Sequence, residues 1–195
     1  MSQVFDAETG SVTPVTVIEA GPCPVVQVKT VDHDGYDAVQ LAFDEVGERK
    51  LSGGERGHLA KAGVAPHRHL VEFRGPSESV VGETVTVQAF EPGDQVKVSG
   101  ISIGKGFQGT IKRHRFHRGP KTHGSHNVRA RGSVGASATP SRVFKGTKMA
   151  GRMGAARVTQ LGLRIHSVDP QLNLLLVKGA VPGPKNGIVE IREAK

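Results

Sequence analysis

Cysteine is almost missing from this sequence, and the single thiol, Cys23, has no partner for an intramolecular disulfide. Nothing in the chain asks for an oxidising compartment, so a cytoplasmic location is the simplest expectation. Long apolar runs are missing too. No stretch approaches the roughly 18 residues of a spanning helix, and the opening Met1-Ser2-Gln3-Val4-Phe5-Asp6 lacks the charged and apolar regions of a secretion signal. No membrane partner is expected. The most informative absence is that of carboxylates: after Asp94 no Asp or Glu occurs until Asp169, so residues 95–168 are free of acid side chains.

That stretch is not neutral. Its 74 residues hold 15 of the 26 Lys and Arg, whereas the other 121 residues hold the remaining 11 together with all 18 acids. The formal charge of +8 is therefore the sum of a middle at +15 and flanks at −7. A domain that needed only solubility would mix the signs, because a large field of one sign repels itself unless something neutralises it. The middle implies a bound polyanion. It also argues against catalysis there, since no carboxylate base or carboxylate metal ligand is at hand. Elsewhere no nucleophile is paired with a base at a recognisable spacing, so neither an enzyme, a cofactor nor a small-molecule substrate is expected.

With 195 residues, 36% of them hydrophobic, the chain is long enough to bury a core, as one domain or one domain with an appendage. The flanks read as short β-branched runs separated by Gly, Pro and Asp. Residues 13–18, 25–31, 36–43, 84–90 and 96–103 are strand candidates, followed by 158–168, 172–178 and 188–192. Asp32-His33-Asp34-Gly35 supplies turn chemistry for a hairpin. Residues 44–78 break the pattern with Glu55-Arg56-Gly57-His58-Leu59-Ala60-Lys61-Ala62, a short helix, and form a small lobe inserted in the β domain. A closed or nearly closed β-barrel fits this pattern better than a layered α/β fold.

Residues 104–157 show neither helical nor strand periodicity over most of their length. Both ends lead into strand candidates, so the segment is a tethered loop and not a tail. Folded once at its middle it reaches at most about 90 Å, at roughly 3.3 Å per extended residue. Its apolar residues are too scattered for a core of their own, which leaves RNA as its packing partner.

Three constellations fall within it. Gly104-Lys105-Gly106-Phe107-Gln108-Gly109 matches the G-x-G-x-x-G pattern of dinucleotide sites, the alternative being an RNA-modifying or nucleotide-cofactor enzyme. However, Thr110-Ile111-Lys112-Arg113-His114-Arg115 has no apolar stripe, and no acid follows about twenty residues later to hold a ribose. The glycines are better read as letting backbone approach phosphate, with Lys105 and Lys112 supplying charge. His114, His117, His123 and His126 have a spacing that zinc could use, but no cysteine is near and the surrounding cations oppose a metal, so they are read as RNA donors and stacking surfaces. His58, His67 and His69 are read as ordinary or internally satisfied. Lys112-Arg113-His114-Arg115-Phe116-His117-Arg118 is the densest cationic cluster, and its interleaved Phe116 favours RNA over simple solvation. Arg113, Arg115, Arg129, Arg131, Arg142, Arg152 and Arg157 are the first choices for phosphate contacts, through forked bonds and stacking. Lys121, Lys145 and Lys148 join them as point charges.

Several blocks are similar to the bacterial large-subunit ribosomal protein L-three family. They include Pro14-Val15-Thr16-Val17-Ile18-Glu19-Ala20-Gly21-Pro22, Gly57-His58-Leu59-Ala60-Lys61-Ala62-Gly63-Val64, Thr139-Pro140-Ser141-Arg142-Val143-Phe144-Lys145-Gly146, Met149-Ala150-Gly151-Arg152-Met153-Gly154 and Leu174-Leu175-Leu176-Val177-Lys178-Gly179. The resemblance implies a mainly β chain: a six-stranded translation-protein-like β-barrel from residues 1–103 and 158–195, a small α+β insert at 44–80, and a long non-globular basic extension at 104–157. It implies a structural constituent of the large ribosomal subunit that binds 23S rRNA near its 3′ end and aids early assembly. The extension would point toward the peptidyl-transferase centre, with its tip at Gly135, Ala136, Ser137, Ala138 and Thr139 and with L-fourteen and L-nineteen as neighbours. Some relatives carry a methylated glutamine before the Thr-Pro pair. Ala138 stands there in this chain, so that modification is excluded. Relatives also have about ten residues before the equivalent of Met1, which implies a true start further upstream or a barrel edge that another element covers.

Overall fold

The computed structural model describes residues 1–6, 10–76 and 78–194; residue 77, inside the expected insert, lies outside them. The chain is mainly β, with 37% of residues in strands and 13% in helices. Among the described residues twelve strands follow in order: β1 (Ser2–Phe5), β2 (Val12–Glu19), β3 (Cys23–Lys29), β4 (Ala38–Glu45), β5 (His67–Arg74), β6 (Thr84–Val85), β7 (Gln95–Ile101), β8 (Phe107–Gln108), β9 (Gly151–Arg152), β10 (Arg157–Asp169), β11 (Leu174–Lys178) and β12 (Val189–Glu193). The α-helices among the described residues, α1 (Val31–Asp34), α2 (Gly53–Lys61) and α3 (Thr110–His114), interrupt them.

The strands form a six-stranded sheet in the order β1-β2-β11-β10-β7-β12, a four-stranded sheet in the order β5-β4-β3-β6, and the two-stranded β8-β9 pair. The chain divides into two compact units. One holds residues 1–96, 162–180 and 193–195, and the other holds 97–161 and 181–192.

In the first unit, alternation decides the register. β11 pairs antiparallel with β2, Leu175 opposite Ile18 and Val177 opposite Thr16, and this turns Leu175 and Val177 inward, both fully buried. A one-residue slip would expose both of them. β1 adds to β2 with Val4 opposite Thr13. At four residues, mostly exposed, it carries too little pattern to be foreseen. In the four-stranded sheet, Val26 and Ala42 form a cluster with Leu59 of α2, against which Leu51, Ala62, Val64 and Leu70 pack. The helix is anchored there by one buried side chain.

Three sequence expectations shift locally. The helix expected over 55–62 starts at Gly53, because Ser52 and Glu55 cap each other: the Ser52 amide donates to Glu55 Oε2 at 2.8 Å and the Glu55 amide to Ser52 Oγ at 3.4 Å. The strand expected over 84–90 stops at Val85 and becomes a 3-10 turn over Val87–Ala89. Thr86 Oγ1 accepts the Gln88 amide at 3.4 Å, a local bond that competes with strand pairing. The Asp32–Gly35 turn proves to be one helical turn, closed by Gly35 at φ 79°, between antiparallel β3 and β4 with Lys29 opposite Ala38.

Lys29 of β3 also links to β5 and to the loop before β4. Its ammonium lies 2.8 Å from Glu72 Oε2, donates to Tyr36 Oη at 2.8 Å, and sits with the Arg74 guanidinium over the Tyr36 ring, 5.1 and 4.6 Å from its centroid. The Lys29 bond holds the Glu72 carboxyl below the usual glutamate range.

In the second unit, Gly100 of β7 lies so close to the chain that a Cβ would sit 2.9 Å from the Pro182 carbonyl and 3.1 Å from Val189 Cγ1. Gly57 within α2 is the opposite case, with nothing within 4 Å of a Cβ.

Urea denaturation should separate these two glycines. Gly57→Ala is expected to stabilise by about 0.5–1 kcal/mol through helix propensity, and Gly100→Ala to destabilise by about 1–3 kcal/mol through overpacking. Lys29→Met should raise the Glu72 pKa toward the ordinary value. A carboxyl with a lowered folded-state pKa contributes stability above its unfolded pKa and loses it as pH falls through the folded value. The destabilisation by Lys29→Met is therefore expected at neutral pH and should fade in acid, as followed by NMR titration and denaturation at several pH values.

Candidate nucleic-acid interface

The acid-free region begins as an ordered ribbon. Ser99 and Thr159 share a hydroxyl hydrogen bond of 2.8 Å. Beyond them the Ser102 amide donates to the Ala156 carbonyl at 2.9 Å, the Lys105 amide to Met153 at 2.8 Å and the Met153 amide to Gly106 at 2.9 Å. Phe107 then pairs with Arg152 and Gln108 with Gly151. The expected extension thus starts inside a ribbon whose strand pairing continues to Gln108, through glycines that hide any periodicity. Past it α3 makes one short helix, and residues 115–150 contain no helix or strand.

Met149 closes the root of this loop. Its carbonyl accepts Arg113 Nη1 at 2.7 Å and His114 Nε2–H at 3.0 Å. Gly151 makes room for this clasp, since a Cβ there would lie 2.7 Å from Arg113 Nη1. Two other glycines serve similar close approaches. A Cβ on Gly154 would meet the Ile103 carbonyl at 2.1 Å, and one on Gly119 would meet Asn127 O at 2.3 Å, beside the Gly119 amide bond to Val128 O at 3.1 Å. Sequence reasoning missed Met149, Gly151 and Gly154, because a main-chain acceptor and a steric allowance carry no periodic signal.

The Gly104–Gly109 pattern is not a dinucleotide loop. β8 pairs antiparallel with β9, α3 spans five residues, and Lys112, Arg113 and His114 occupy its last turn. A Rossmann unit requires parallel strands joined by a long helix. Gly106 adopts φ +64°, whereas Gly109, which precedes α3, has open space around it.

The cations divide by what they touch. Arg157 is held by Glu190 through two bonds of 2.7 and 2.5 Å, and this partner keeps its guanidinium more firmly protonated. Arg142 lies over the Phe144 ring, 5.4 Å from its centroid. Arg131 has Nε and Nη1 buried without a hydrogen-bond partner. Among the described residues Lys105, Lys112, Arg115, Arg118, Lys121, Arg129, Lys145, Lys148 and Arg152 have neither an ion pair nor a side-chain hydrogen bond, and all are exposed.

His114 and Phe116 form a tilted ring pair at 6.1 Å. His117 and His123 are exposed and His126 is exposed within a bend-rich stretch. No three His, Cys, Asp or Glu side chains among the described residues come together as a metal site. Gly135, Ala136, Ser137, Ala138 and Thr139 are all exposed, and their turn is braced by Ser133 Oγ donating to Gly135 O at 2.9 Å and Ser141 Oγ to Ala138 O at 2.5 Å.

Known proteins resemble this chain along its whole length. The family described as Ribosomal protein L3 matches residues 71–173. The Large ribosomal subunit protein uL3 of Streptomyces coelicolor is 53% identical over 197 aligned positions, covering 100% of this chain and 92% of that protein. That of Thermosynechococcus vestitus is 52% identical with the same coverage, and that of Acidothermus cellulolyticus 53% identical over 88% of its length. The chain belongs to the ribosomal protein L3 family. In this member of the L3 family no helix among the described residues is long and apolar enough to cross a membrane.

If the Met149 clasp holds the root, Gly151→Ala and Arg113→Gln should each weaken it by roughly 1 kcal/mol, the net value of a hydrogen bond. Hydrogen exchange at the Lys105 and Met153 amides is then expected to speed up about fivefold, following the same free energy. Unchanged exchange would show that the ribbon stands without the clasp.

Proposed function

We propose that this L3-family chain is a structural, non-catalytic constituent of the large ribosomal subunit, and that residues 104–157 are its rRNA-penetrating element. The observation that carries this is the set of nine exposed cations without partners between Lys105 and Arg152, in a region with no carboxylate, tied at its root to a β ribbon. A polyphosphate backbone answers such a surface by releasing its counterions as the cations replace them. Arg131 adds to the case: guanidinium nitrogens removed from water with no acceptor are costly until an anion or carbonyl reaches them.

The finer assignments follow from the family resemblance together with these features. The six-stranded sheet is the translation-protein-like barrel, and residues 44–80, built around α2 and β5, are the α+β insert. The loop carries its exposed Gly135–Thr139 turn toward the peptidyl-transferase centre. Binding near the 3′ end of 23S rRNA, a part in early assembly and neighbours L-fourteen and L-nineteen complete the proposal. Arg157 is a weaker RNA contact than its neighbours, because Glu190 already occupies its forked edge.

Binding of a large-subunit rRNA transcript, measured across a salt series, tests the reading. The affinity should fall with a slope of roughly −0.7 in log–log form for each phosphate neutralised, and neutralising Arg115, Arg118 or Arg129 should each reduce that slope by about the same increment. Arg157→Gln should change it least. A flat response to salt would overturn the proposal.

A further inference from the structure

Phe144 stands where a phenylalanine has no structural reason to be. It is 58% exposed, in a stretch with no helix or strand. Its backbone is nevertheless fixed: the Phe144 carbonyl accepts both the Thr147 amide at 3.4 Å and Thr147 Oγ1 at 2.6 Å, and Gly146 turns the chain at φ +79°. The Arg142 guanidinium covers one side of the ring from 5.4 Å, while Lys145 and Lys148 flank it in sequence with no side-chain partner of their own. An aromatic face on a hydrogen-bonded turn, left in water beside unneutralised cations, suits a planar, electron-rich ring attached to a phosphate backbone. The guanidinium adds a cation–π contact to the stack.

We infer that Phe144 is a stacking platform for one unpaired nucleobase of the bound RNA, with Arg142 as the layer beneath and Lys145 and Lys148 on the adjoining phosphates. This rests on the rRNA reading above and deepens it. Base stacking is separable from charge neutralisation, because it adds affinity without releasing counterions.

The chain contains no tryptophan, so F144W places a single indole at the site. Using the full chain and a large-subunit rRNA transcript, F144W emission should be quenched on binding. F144L should bind on the order of tenfold more weakly at every salt concentration, with the slope unchanged, while F144W keeps the parental affinity. R142Q should both weaken binding and flatten the slope. If the parental chain binds with its salt dependence but F144L matches it and F144W emission does not respond, stacking at Phe144 is overturned and the rRNA reading stands. If the parental chain does not bind at all, both fall.

Discussion

Like-charge repulsion is the constraint to which the rest of this structure answers. Between Asp94 and Asp169 there is no carboxylate to set against fifteen Lys and Arg, so side-chain ion pairs cannot organise the segment from within. Main-chain groups do that work. The ribbon pairs from Ser102 with Ala156 to Gln108 with Gly151, and the Met149 carbonyl gathers Arg113 and His114. A carbonyl oxygen accepts from a guanidinium without cancelling its charge, so order is gained and the field is kept for a partner. Glycine is the companion device: at Gly119, Gly151 and Gly154 the missing Cβ lets the chain or a guanidinium come within distances that a side chain would forbid.

The cations that do form ion pairs take acids from outside that zone. Lys29 meets Glu72 and Tyr36 in a closed arrangement on the four-stranded sheet. Arg157, the last cation of the expected extension, takes Glu190 from far along the sequence, and Arg192 lies 3.6 Å from the same carboxylate. The paired cations thus take carboxylates that the acid-free zone does not hold, and the nine exposed cations from Lys105 to Arg152 have none. It is a difference in purpose: a paired charge fixes geometry, and an unpaired one in a uniformly positive field is an unmet interaction.

Much of this was legible in the sequence. β2, β7 and β11 announce themselves through alternation and β-branched residues, as Val96 and Val98 show by pointing inward while Gln95 and Ile101 face out. The basic segment is visible by counting acids alone. What stayed hidden has physical reasons. β1 is too short to carry a period. The start of α2 lay in the Ser52–Glu55 pair, a signal present in the sequence but outranked by the apolar residues after it. The continuation of the ribbon to Gln108 is masked by Gly104 and Gly106, which contribute backbone pairing and no side-chain pattern. The Met149 clasp depends on a carbonyl, a group every residue owns.

The glycine pattern at residues 104–109 shows how a motif takes its meaning from strand direction. In a dinucleotide fold, a parallel strand delivers its glycines to the start of a long helix whose many aligned amides face one pyrophosphate. Here the same letters sit in an antiparallel ribbon, where β8 is bonded to β9 and the helix that follows is five residues long with three basic residues in its last turn. Gly106 supplies a left-handed turn at φ +64°, and the short helix carries Arg113 and His114 to Met149. The segment thus spends its glycines on turning and pinning a cationic loop. Phosphate recognition is left to the exposed side chains beyond it, a division of labour suited to a long anionic surface and unsuited to one small cofactor.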